Sequence, residues 1–337
     1  MSDSADISTT VVLAFLIVVG IIGNSLVCVV MMKYRDMRVP INYLLVNLAA
    51  ADIMFATFIT PQYVLSHAFS HPSGMTGTLL CKLLTGGNFA WVGAASSVFT
   101  LVNIAIERYG VVIYPHGNRW KLTPRKLRFL IPGSWVFSLI VNFPVFLVVD
   151  IDDKIGACVR IWPKKWMPQA YNVAWFVVMA IIPLTVMVVL YSRVVYRLWF
   201  KYTPDDSEHG NRHKGLQKVR KRATLSVLVV SIIFAICWIT DSIVYIVSHF
   251  SAESFGPAVY SVSNTMIMFN SAVNPFVYGL VNRRFRDKIK IMFGGASCVK
   301  AESSEETETE GMEMSGSVVN NSKVEERQRN SFKSSAC

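Results

Sequence analysis

Residues 81–109 read CKLLTGGNFAWVGAASSVFTLVNIAIERY, and the rest of the chain is organised around this stretch. From Leu83 to Ile106 it holds no ionisable residue. At a rise of roughly 1.5 Å per residue, a helix from Cys81 to Arg108 is about 40 Å long, the thickness of a bilayer with its headgroups. Gly86, Gly87, Gly93, Ala94, Ala95, Ser96 and Ser97 keep its surface small. Small residues let helices approach closely where lipid surrounds them and no hydrophobic effect drives them together. The expectation is a central span enclosed by other helices. Arg108, beside Glu107 at its end, has in isolation a second reading as a plain interfacial anchor snorkelling to the headgroups.

The 337 residues are 53% hydrophobic and only 16% charged, too apolar for a soluble chain of this length. Seven apolar segments, at about 10–32, 42–66, 79–106, 129–149, 168–200, 223–248 and 257–281, are long enough to cross a bilayer by the ~20-residue criterion. Met1-Ser2-Asp3 lacks a basic leader, so the first segment is expected to be a retained span rather than a cleaved signal. Of the 33 Lys and Arg, 22 fall on one side of this topology and five (Lys82, Lys154, Arg160, Lys164, Lys165) on the other. Basic residues stay in the cytoplasm, which places the N-terminus outside the plasma membrane and the C-terminus inside. The net charge of +11 is then explained by anionic inner-leaflet lipid and acidic partners, with no nucleic acid required.

Polar residues inside the spans are the next signal. Asp52 stands in the second segment, where a charge costs from about 2.5 kcal/mol upwards, so it is either functional or a neutral, hydrogen-bonded structural group. Asn24, Ser97, Asn270, Ser271 and Asn274 would also be stranded in hydrocarbon and are expected to converge with Asp52 on one another, on water or on an ion. Of the six cysteines only Cys81 and Cys158 face outside, which suggests one disulfide pinning the loop 150–166 to the central span. Pro183 and Pro275 each remove a backbone donor and permit a bend.

Asn24, Leu48 with Asp52, Cys81, Glu107-Arg108-Tyr109, Trp135, Pro183 with Tyr191, Phe234 with Cys237-Trp238, and Asn274-Pro275 with Tyr278 fall one set per span and in order. Together they resemble a class A, rhodopsin-like G-protein-coupled receptor over about residues 10–295. The resemblance implies a receptor that activates a heterotrimeric G protein and catalyses nothing. It implies that Arg108 holds the cytoplasmic ends closed and then meets the G protein, that Trp238 with Phe234 is the switch beneath the ligand, and that Tyr191 and Tyr278 partner the active state. It also implies an allosteric sodium ion held by Asp52, Ser97, Asn270 and Asn274, and no other cofactor. One departure stands out: the family usually has proline two residues after the sixth-span tryptophan, and here Thr240 occupies that place. A threonine hydroxyl bonded back to a carbonyl one turn earlier bends a helix only slightly.

The ligand class is the least legible part. No lysine lies in the seventh span to hold retinal, with Met268 near the expected attachment point, and Ala90-Trp91 stand where amine receptors carry an aspartate. What remains is a pocket rimmed by Trp91, Tyr171, Trp175, Tyr245 and Tyr260, with Asn264 nearby, and an outer loop of mixed charge. This looks most like a neuropeptide receptor. Asp241 is the only acid in the pocket region, read either as the counter-charge of a cationic ligand or as a carboxylate satisfied by a neighbour such as Tyr245 or Asn264. The other readings are a small non-peptide ligand (amine, lipid or nucleoside-like), or, from another class, a seven-span transporter or intramembrane enzyme. Transporters and such enzymes need a midplane relay, inverted repeat or metal cluster, and none is visible.

Beyond the spans, Phe285, Ile289, Met292 and Phe293 recur at i, i+4, i+7 and i+8 among basic residues, describing an amphipathic helix on the inner membrane surface. Cys298 follows as a palmitoylation candidate or an ordinary thiol. The tail from 301 is rich in Glu, Ser and Thr and is expected to be disordered. Ser303, Ser304, Thr307 and Thr309 among its glutamates suit receptor kinases and then arrestin. The expected organisation is an all-α membrane protein: a short N-terminus (1–9), a seven-transmembrane helix bundle (10–282), an amphipathic surface helix (283–294) and a cytoplasmic tail (295–337).

Overall fold

The computed structural model describes residues 2–65, 71–72, 74–115, 122–152, 156–200, 210–250, 257–281 and 283–293. Cys298, the tail residues Ser303, Ser304, Thr307 and Thr309, and loop residues Asp153 and Lys154 lie outside them.

Six described segments are long and apolar enough to cross a membrane: Ile7–Lys33, Pro40–Tyr63, Met75–Ile113, Pro124–Val148, Met167–Phe200 and Thr224–Ser248. The seventh helix, Pro257–Val281, matches them in length at 25 residues but not in hydropathy. Its Ser263, Asn264, Asn270, Ser271 and Asn274 are all buried, so it turns polar side chains inward against the first, second and sixth helices. The fourth span shows the opposite pattern, with Phe129, Val136, Ile140, Phe143 and Leu147 exposed at helical spacing as a stripe for lipid. The third span is central: 72% of its most apolar stretch is buried, against 22% for the fourth and fifth.

Local chemistry sets the breaks. Before the third helix proper (Asn88–Ile113), a short helix Met75–Leu80 widens into a π turn at Cys81–Thr85 and stops at Gly86-Gly87. Gly87 has φ +71°, a conformation that side chains with a Cβ rarely adopt. Asn88 Nδ2 then donates back to the Lys82 carbonyl (3.0 Å), covering an acceptor the break leaves open. In the fifth span a π turn at Val177–Ile181 immediately precedes Pro183, where the missing N–H already interrupts the helical ladder. The sixth helix runs unbroken over Gly210–Phe250, because Thr240 keeps its backbone donor and its hydroxyl bonds to the Ile236 carbonyl (2.8 Å). Where a Cβ on Gly93 would sit, the Ala51 carbonyl is 2.7 Å away and the Phe55 amide 2.9 Å, so the second and third helices touch backbone to backbone.

One end of the bundle carries an antiparallel hairpin, which the sequence reading treats only as a loop. Its strands are β1 (Val149–Asp152) and β2 (Ala157–Arg160), paired Val149↔Arg160 through Asp152↔Ala157. Gly156, at φ +63°, makes the turn. Cys158 on β2 is bonded to Cys81, as the topology suggests. Residues 2–286 form one compact unit; the helix Arg283–Phe293 carries its last seven residues in a second.

Candidate functional site

Between the hairpin and the third, fourth, fifth and sixth helices lies a partly open cavity. Trp91, Tyr171, Trp175, Asp241 and Tyr245, expected around a pocket, all line it, with Asn142, Asn172, Ser242 and Arg160. Tyr260 does not line it but packs its ring on Tyr245 (5.5 Å between centroids). Asn264 also stands behind the wall, donating to Tyr63 Oη (2.9 Å), Tyr245 Oη (3.4 Å) and the Tyr260 carbonyl (2.8 Å).

Asp241 is 3% exposed and accepts a short hydrogen bond from Ser263 Oγ of the seventh helix. Its neighbour is thus Ser263, not Tyr245 or Asn264. Arg160 of β2 faces the same cavity and makes no ion pair with Asp241.

The rings continue past the cavity. Trp162 packs on Tyr171 (5.4 Å), Tyr171 on Trp175 (6.1 Å), Trp175 on Trp238 (6.4 Å) and Trp238 on Phe234 (5.5 Å). Trp91 meets Trp175 edge to face at 6.0 Å. Trp238 and Phe234 are 1% and 0% exposed, so the run connects the hairpin to the centre of the bundle.

Deeper still, Asp52 (1% exposed) accepts from Ser97 Oγ (3.0 Å) on one oxygen and from Asn274 Nδ2 (2.7 Å) on the other. The side-chain oxygens of Asn270 and Asn274 are buried with no partner among the described residues. The Asp52 carboxylate with the oxygens of Ser97, Asn270 and Asn274 offers oxygen donors of the kind that suit a hard cation such as sodium. Asn24 bonds instead to the Gly20 and Ser271 carbonyls. Asn47 accepts from Trp135 Nε1 (3.0 Å) and donates to Thr100 and Ser134, tying the second, third and fourth helices together.

At the far end Arg108 bonds to Glu107 of its own helix (2.5 Å), both largely buried. Tyr109 packs with Val112, Val194 and Leu198, linking the third and fifth spans. Tyr191 and Tyr278 are buried, and the Tyr191 hydroxyl has no close partner among the described residues.

The hairpin is held by more than the disulfide. Thr78 Oγ1 and the Ile151 amide donate to Asp150, and these two bonds hold its carboxyl below the usual carboxylate range. Asp150, read from sequence as part of a mixed-charge rim, is therefore engaged in fastening the hairpin. His71 lies 3.4 Å from Cys158 Sγ, but the two sulfurs are bonded to each other and offer no thiolate to a metal.

Comparison with known proteins agrees with this architecture. The rat pyroglutamylated RF-amide peptide receptor is 28% identical over 310 residues, covering 86% of this chain and 70% of the relative. The Drosophila melanogaster RYamide receptor is 27% identical, covering 79% and 59% respectively, and the human substance-K receptor 30%, covering 82% and 70%. The profile of the 7 transmembrane receptor (rhodopsin family) matches residues 23–278. The chain belongs to this rhodopsin family of seven-transmembrane receptors.

Proposed function

We propose that this protein is a plasma-membrane receptor that binds an extracellular peptide bearing a cationic group and activates a heterotrimeric G protein. The reading rests on one observation above the others, the unbroken run of rings from the cavity to Trp238 and Phe234. Close-packed interiors switch between discrete arrangements rather than deform continuously, so a ligand that moves Trp175 repacks Trp238. Peptide-receptor relatives and the family support the ligand class and the G protein.

In this reading the N-terminus and the hairpin are extracellular. Trp91, Trp175, Asp241 and Tyr245 contact the ligand, with Asn264 positioning Tyr245. Glu107, Arg108 and Tyr109 hold the inner end closed, and on activation Arg108 turns to the G protein while Tyr191, Tyr278 and the Asn274-Pro275 bend adjust around it. Asp52, Ser97, Asn270 and Asn274 would hold sodium, whose charge would balance the buried carboxylate. The helix Arg283–Phe293 lies on anionic inner-leaflet lipid through its basic residues. Cys298 carries a lipid, and the tail is read by receptor kinases and arrestin.

A second reading, a small cationic non-peptide, is favoured by the lining of the cavity, where aromatic rings surround a single carboxylate, Asp241, and leave room for one cationic group. A cell-based screen of short cationic peptides and of amines, with second-messenger readouts, separates the two. Activation by peptides and not by amines is expected; activation by amines alone overturns the peptide reading.

A further inference from the structure

Arg160 has no place in the roles above, and its position is more constrained than its loop suggests. In a strand, residues two apart share a face, so Arg160 points the same way as Cys158, which is bonded into the bundle through Cys81. Its backbone pairs with Val149, itself 2% exposed, and Asp150 next along β1 is fastened by Thr78. A disulfide two residues away and a paired strand together hold this cation over the bundle.

It also stands at a junction. Arg160 lines the aromatic cavity with Asp241 and also a second, more polar cavity with Gln62, His71 and Thr85. Among the described residues its guanidinium makes no hydrogen bond or ion pair. Asp241 does not neutralise it directly, because one carboxylate oxygen is taken by Ser263 and no ion pair joins the two.

We infer that Arg160 is a recognition residue for a carboxylate of the ligand, so that the receptor selects a molecule bearing a cation for Asp241 and an anion for Arg160. This deepens the peptide reading above and rests on it. The guanidinium offers a planar pair of donors matched to a carboxylate, and it is weakly hydrated, so it loses little on leaving water. A carboxamide of the same shape offers one neutral oxygen and a far weaker bond. The two charges, one on β2 and one on the sixth helix, also set orientation, since a reversed ligand puts like charges together.

The test uses defined probes on the purified full-length receptor, with binding read by thermal shift. N-acetyl-Arg-Phe carries both charges; N-acetyl-Arg-Phe-amide lacks the carboxylate; N-acetyl-citrullinyl-Phe lacks the cation; N-acetyl-Arg-Glu-amide moves the carboxylate from the terminus to a side chain. N-acetyl-Arg-Phe is expected to bind at least about tenfold more tightly than its amide. In Arg160→Gln the acid should lose that advantage while the amide changes less than about threefold, and Arg160→Lys should restore only part of it. The Arg-Glu-amide probe then tells a terminal carboxylate from a side-chain one, according to which is sensitive to Arg160→Gln. Equal binding of acid and amide to the parent, equal losses in Arg160→Gln, tighter binding of cationic probes once Arg160 is gone, or no binding of the acid at roughly 10 mM each overturns the inference. Asp241→Asn keeps the two readings apart. Loss of the Arg probes there, with the citrulline probe unchanged, leaves the cationic-ligand reading standing even if the Arg160 result is negative. Indifference to Asp241→Asn with a positive Arg160 result does the reverse.

Discussion

Two of the carboxylates buried in the bundle, Asp52 and Asp241, are satisfied in contrasting ways. Asp52, at the level of the central polar cluster, has both oxygens occupied by donors from the third and seventh helices. Asp241, on the cavity wall, has one oxygen held by Ser263 and stands among aromatic rings with a cation across the space. Around Asp52 the carboxylate itself is paired on both oxygens inside the bundle, whereas Asp241 borders an open cavity and has one oxygen held. A paired group transmits rearrangement because its partners sit on different helices, whereas an under-paired one awaits something from outside. On the function proposed above, recognition and transmission are divided along the bundle axis.

The strongest challenge to that division is Arg108→Ala. Signalling should be lost entirely while surface expression and ligand affinity are kept, as measured by second-messenger assay beside radioligand or thermal-shift binding. Full signalling by this variant breaks the assignment of transmission to that end.

Asp241→Asn should produce the complementary pattern. Truncating one partner of a buried charge pair typically costs about 2–5 kcal/mol, so a cationic agonist should weaken well over tenfold and a neutral analogue hardly at all. Equal losses for both would make Asp241 structural, like Asp52.

Asp52→Asn sharpens the contrast further, because the shape remains and the hard anionic donor is gone. Agonist affinity should become insensitive to sodium, and the effect at the cavity should otherwise be small. An agonist affinity in the parent that ignores sodium removes the ion from this account.

The smallest effect is expected at the hairpin. Asp150 has its carboxyl held low, so the stability it contributes is present above the ordinary carboxylate range near about 4 and is lost only as pH falls below that range. Thr78→Val removes the first donor and should move the acid loss of thermal stability upward in pH. No movement would show that Asp150 does not fasten the hairpin.

What was legible in the sequence divides in the same way. The spans, the Cys81–Cys158 pair and the Asp52 cluster are readable because apolar length and buried polarity are properties of the chain itself. The seventh helix is less apolar than its length suggests, since it uses its polar residues to meet three neighbours. Ser263 as the partner of Asp241 is not readable, because it depends on the rotation of one helix against another 22 residues away. The hairpin is hidden for a different reason: two four-residue strands leave too short an alternation to distinguish from a loop. With the hairpin went the position of Arg160 and the engagement of Asp150.

Thr240 carries a last consequence. A proline bend is fixed in the covalent chain, but the bond from the Thr240 hydroxyl to the Ile236 carbonyl is made or broken by rotation about a single side-chain torsion. The net worth of such a bond is about 0.5–1.5 kcal/mol, close to thermal energy. How far the sixth helix bends at this point therefore depends on one side-chain hydrogen bond and not on the covalent chain.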